Sequence, residues 1–161
     1  MIVITSYLVF CMLAVLWFDT GRYLIPNWLV GSLLALYPLA VWLSAGPVAW
    51  KMALAGMLLV FAAGYVIFAM KWIGGGDVKL ITACSLWVGW SHLLDFIFLF
   101  ALLGGVLSVV VGLMRTLLPH TPWTLKTVPR ILQNGEPVPY GVAIAVAFLI
   151  LMGMGETAAT L

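Results

Sequence analysis

Residues 48–70 read VAWKMALAGMLLVFAAGYVIFAM, and the chain continues Lys71-Trp72-Ile73-Gly74-Gly75-Gly76-Asp77. The only charge in that apolar run is Lys51, near one end. A helix crossing the ~30 Å hydrocarbon core of a bilayer needs about 20 such residues. The run is therefore expected to span a membrane and to stop where three glycines and an acid follow.

The pattern recurs outward in both directions. Apolar runs over about 2–18, 28–44, 77–90, 93–114 and 138–154 bring the count to six. The expectation is an all-α integral membrane protein: one domain over residues 1–161, folded as a six-helix transmembrane bundle. A kink is expected at Pro38. The fourth helix is short, since about 14 residues at 1.5 Å each fall below a full hydrocarbon core. It is expected to tilt, or to end in a thinned or water-filled region. Composition agrees: 65% of residues are hydrophobic and 7% charged, where a soluble domain carries about 25% charged. A net charge of +2 leaves no basic footprint for nucleic acid, so the expected surroundings are lipid.

Six spans put Arg22, Lys71, Lys79, Arg115, Lys126 and Arg130 on one side and only Lys51 on the other. Positive residues favour the cytoplasmic side, so both termini are expected outside and the odd-numbered loops inside. Deleting the fourth span would scatter these charges across both faces. The first run has no basic residue before it, and Phe18-Asp19-Thr20 does not resemble a small-residue cleavage site. It is read as a retained helix rather than a signal peptide. A cytoplasmic loop is expected over about 115–137, and the stretch 115–139 holds five of the eight prolines. Gly104, Ser108 and Gly112 recur every four residues, a small-residue ladder suited to close helix packing. Cys11 and Cys84 lie inside apolar runs and read as buried free thiols.

Two of the five acidic residues then stand out. Asp19 follows the first span and Asp77 opens the fourth, so the topology brings both to one depth on the cytoplasmic face. A carboxylate at the membrane edge generally has a partner or a task. Two carboxylates sharing a site hold one proton between them, so one can take a proton from water while the other protonates an amide. That chemistry needs no metal or cofactor, and none is expected. Gly74, Gly75 and Gly76 permit close approach of an extended backbone. Simpler readings exist: Asp19 paired with Arg22, and Asp77 paired with Lys79 or capping the fourth helix. Asp95, beside Ser91 and His92, reads as a helix cap. His92 and His120 lack a second nearby ligand, so no metal site is expected. A rival class is a small proton- or ion-conducting protein using the aspartates as a relay, though acids at several depths would then be expected. A catalytically silent partner of a secretion machine is a third.

The motifs carry a resemblance. Gly74-Gly75-Gly76-Asp77 resembles the GxGD motif of membrane aspartic proteases, and Val78-Lys79-Leu80 resembles its type IV prepilin peptidase form. Asp19 followed by Ile25-Pro26-Asn27 resembles that family's first catalytic motif, and Val138-Pro139-Tyr140-Gly141 the segment opening its last helix. The presenilin branch fits less well, because Tyr-Asp and Pro-Ala-Leu motifs are missing. The resemblance implies an aspartic endopeptidase of the bacterial or archaeal cytoplasmic membrane, cleaving the basic leader from prepilin or pseudopilin precursors at the cytoplasmic face. Asp19 and Asp77 would be its catalytic pair, and Pro139, Tyr140 and Gly141 would shape the site. Lys71, Lys79 and Arg22 would attract an acid just past the cleavage point, and of the three Lys71 reads more simply as an orienting charge. Larger bacterial members carry Cys-x-x-Cys motifs in an N-terminal segment and methylate the new terminus. This sequence has no such motif, so N-methylation is not expected, and the compact form resembles the peptidases of tight-adherence (Tad/Flp) pilus systems.

Overall fold

A computed structural model describes residues 2–44, 46–117, 132 and 138–155. Lys126, Arg130, His120, Glu156 and nearly all of the 115–137 loop fall outside the described residues. Six α-helices follow the six apolar runs: α1 (Ile2–Arg22), α2 (Asn27–Leu43), α3 (Trp50–Ala69), α4 (Gly75–Val88), α5 (Leu93–Leu117) and α6 (Tyr140–Gly153). There is no strand among the described residues. By length and composition, α1, α3 and α5 are each able to cross a membrane, while α2 and α6 are apolar but shorter. Pro38 lies within α2, which continues through it as one helix.

The shortness of α4 has a structural reason. From Leu80 to Val88 every residue is buried, and α4 packs against α2, α3, α5 and α6. A helix apolar on all sides belongs in the interior, and this one is the centre of the bundle. Its polar groups are satisfied locally: Thr82 Oγ1 donates to the Val78 carbonyl (2.7 Å) and Ser85 Oγ to that of Thr82 (2.8 Å). Trp87 is fully buried and its indole N–H donates to the Leu33 carbonyl of α2 (3.0 Å). The Tyr37 ring meets Trp87 edge-on, with centroids 5.3 Å apart.

Between apolar helices in lipid, association rests on packing and close backbone approach rather than on escape from water. Gly64 shows this where α3 crosses α4, since a Cβ there would lie 2.9 Å from Val78 Cγ1. The small-residue ladder of α5 is used only in part. Gly104 seats the Tyr140 ring of α6, and Ser108 Oγ lies 3.0 Å from Tyr140 Oη, whereas Gly112 meets nothing. Both cysteines are free and buried. Large apolar side chains such as Trp17, Trp42, Leu94 and Phe98 face outward, a surface suited to lipid. Asp95 sits in the first turn of α5 rather than at its cap, with Oδ2 3.4 Å from His92 Nδ1.

Candidate active site

The buried stripe of α1 is Ile4, Leu8, Cys11, Met12, Val15 and Asp19. Asp19 thus occupies the next helical position of an apolar face, and the periodicity that buries Val15 also turns the carboxylate inward. It is 4% exposed, although Trp17 on the same turn is 79% exposed. What receives it is the start of α6. The N-cap of α6 is Pro139, which offers no capping side chain, so the first backbone N–H groups need an acceptor from elsewhere. Asp19 supplies it: Oδ2 accepts from the Val142 N–H at 3.2 Å, and the Gly141 N–H also points to the carboxylate. An acid of α1 therefore caps α6 in trans, where the helix dipole favours negative charge. Residue 141 has to be glycine for this fit, because a Cβ would sit 2.7 Å from Oδ2.

Asp77 is held by a related device on its own helix. It is the third residue of α4, after N-cap Gly74, and its carboxylate turns back to the Gly74 N–H. That is the reciprocal half of a capping box. The glycines around it are used for contact as well. A Cβ on Gly74 would lie 2.9 Å from Asp77 Oδ2, and one on Gly75 would lie 3.2 Å from the Phe68 ring. Gly76 faces Ile25, whose Cδ1 also abuts Gly141. Ile25 is buried and acts as a spacer between the first turns of α4 and α6. The sequence reading used Ile25 only as part of a motif, and nothing in its residue type announced that contact.

Asp19 and Asp77 line one cleft of about 880 Å³, near enough that the charge of Asp19 is felt at Asp77. Gly74, Gly75, Gly76 and Tyr140 line it too, while Pro139 is fully buried behind it as the N-cap of α6. The two simpler ion pairs do not form, whereas the simpler reading of Asp77 as a cap of α4 holds. Arg22 lies over the Phe18 ring at 5.8 Å, and Lys79 Nζ donates to Asn27 Oδ1 at 3.0 Å. Lys79 is two residues beyond Asp77, which on a helix turns it to the other side. There it lines a separate apolar groove of about 800 Å³ among α2, α3 and α4. Neither Lys79 nor Arg22 lines the cleft. Lys71, the basic candidate that reads more simply as an orienting charge, does line it, as do Tyr23 and Trp72.

The model of the type IV leader peptidase family matches residues 6–109, well over half of the chain. The chain belongs to the type IV leader peptidase family. It is a membrane protein of a protease family, and the matched region contains both aspartates of the cleft. The segment that caps the site, residues 138–142, lies beyond the match. Comparison with curated proteins and with solved structures found no match.

Proposed function

We propose that this leader-peptidase family member is an aspartic endopeptidase that removes the basic leader from prepilin or pseudopilin precursors, with Asp19 and Asp77 as its catalytic pair. The observation that carries the reading is that these two acids, far apart in sequence, meet on one cleft, Asp19 from the end of α1 against the first turn of α6 and Asp77 in the first turn of α4. Two carboxylates in such proximity share one proton. The ionised member takes a proton from water, and the water oxygen attacks the scissile carbonyl carbon. The protonated member gives its proton to the carbonyl oxygen. In the resulting gem-diol, the acid that gained the water proton delivers it to the leaving nitrogen, and the other removes a hydroxyl proton. The C–N bond breaks, a carboxylic acid and an amine leave, and the pair returns to its starting state. No metal or cofactor enters.

The proposed setting is a bacterial or archaeal cytoplasmic membrane, with six spanning helices and both termini outside. The aspartates then lie at the cytoplasmic face, the side that the six-to-one distribution of basic residues favours. The proposed system is a Tad/Flp-type pilus, and the proposed activity is cleavage without N-methylation. The test is co-expression with a candidate prepilin, reading leader loss as a gel shift. Asp19→Asn and Asp77→Asn are each expected to abolish cleavage while the protein still accumulates in the membrane. Wild-type processing by either variant would sink the assignment.

A further inference from the structure

Four described residues have positive φ, and they divide by place. Away from the cleft the chain uses glycine: Gly89 (φ 76°) ends α4, and Gly155 (φ 82°) follows α6. At the cleft it uses Tyr23 (φ 52°) and Lys71 (φ 62°). Tyr23 closes α1 by donating its N–H to the Asp19 carbonyl at 3.1 Å. Lys71 closes α3 in a two-bond cap: its N–H donates to the Phe68 carbonyl (2.8 Å) and that of Trp72 to the Ile67 carbonyl (3.2 Å). This is the left-handed helix ending that glycine fills most readily, because a β-carbon is disfavoured there. Two large side chains thus stand where backbone geometry favours none, and both face the paired carboxylates' cleft. Backbone strain of this kind concentrates where a side chain is needed for function.

We propose that Tyr23 and Lys71 are the substrate-recognition residues of this cleft, an inference that rests on the peptidase reading above. Lys71 is the basic side chain among the residues that line the cleft, and the charged groups facing it there are Asp19 and Asp77. Its ammonium forms no ion pair among the described residues. It binds a carboxylate of the substrate peptide flanking the scissile bond. The ring of Tyr23, on the same cleft, packs an apolar side chain beside that bond.

The test separates the strained backbone from the side chain. Lys71→Gly relieves the left-handed strain, so its thermal unfolding midpoint in detergent rises, yet its KM for a prepilin peptide rises about tenfold, as loss of a charge-assisted contact implies. Its kcat stays within about twofold of wild type, because the pair itself is untouched. Lys71→Gln keeps the strain and shows the KM increase without the gain in stability. Replacing the acids that flank the scissile bond by their amides removes the KM difference between wild type and Lys71→Gly. Tyr23→Ala raises KM most for substrates with a large apolar residue next to that bond. A more stable Lys71→Gly with wild-type KM overturns the proposal, as does an equal penalty on substrates without acids. So does a displaced pH profile at unchanged KM, which would show Lys71 acting through the aspartates. Wild-type protein that cleaves no prepilin overturns the peptidase reading beneath it, and the proposal with it.

Discussion

Gly141 is the residue on which the geometry of the pair turns. Asp19 reaches the α6 amides only because nothing projects from position 141, where a Cβ would stand 2.7 Å from Oδ2. Gly141→Ala is expected to displace the carboxylate and to lower cleavage by about a hundredfold, the scale at which misplacing a reacting group by about 1 Å acts. Membrane accumulation of the variant, measured alongside, separates this from misfolding, and a variant with wild-type turnover would deny Asp19 its need for those amides. Asp19 itself was legible: it continues the buried stripe of α1, and a helical period read from sequence turns it inward. Lys71 was legible only as one of three basic candidates for the site. Its place in the cleft follows from a left-handed backbone at the end of α3, and Lys is not a residue type that announces that conformation. Lys79 turns away from Asp77 because adjacency in sequence is not adjacency on a helix, where two residues amount to a turn to the other side.

Among the elements, α4 decides the packing. It was expected to be short, and to tilt or to end in a thinned or water-filled region. Four neighbouring helices bury its sides, while its polar start opens on the cleft. The contact with α3 depends on Gly64. Gly64→Ala is expected to destabilise the protein by about 1–3 kcal/mol through overpacking against Val78. Trimming the partner in Gly64→Ala/Val78→Ala should restore much of it, and unfolding midpoints of the two single variants and the double measure the coupling. If Gly64→Ala unfolds like wild type, the close approach of α3 and α4 is not a constraint. The ladder on α5 shows the limit of reading such patterns. Three small residues share a face, yet Gly104 and Ser108 engage Tyr140 while a side chain at Gly112 would meet nothing among the described residues, because only the partner's position decides which small residue is used.

At the scale of the whole molecule, the cleft lies where the ends of α1 and α3 meet the starts of α4 and α6. Those four termini share a side of the bundle as alternate helix ends do when the chain runs up and down. The proposed six-span topology extends this order across the membrane. A reporter enzyme active only outside the cytoplasm, fused after residue 155, is expected to be active, and the same reporter inserted after Trp72 is expected to be silent. The reverse pattern would invert the orientation and put the cleft on the outer face. Composition, apolar run length and motif order, which are local and additive along the chain, were enough to determine by themselves a helical membrane protein, its six helices and the two acids worth pairing. Which side chains share the cleft was decided only by tertiary structure. Burial of Asp19 under the first turn of α6, the spacing set by Ile25, the entry of Tyr23 and Lys71 and the departure of Lys79 all depend on how helices distant in sequence are rotated and packed. No stretch of the chain carries that relation by itself.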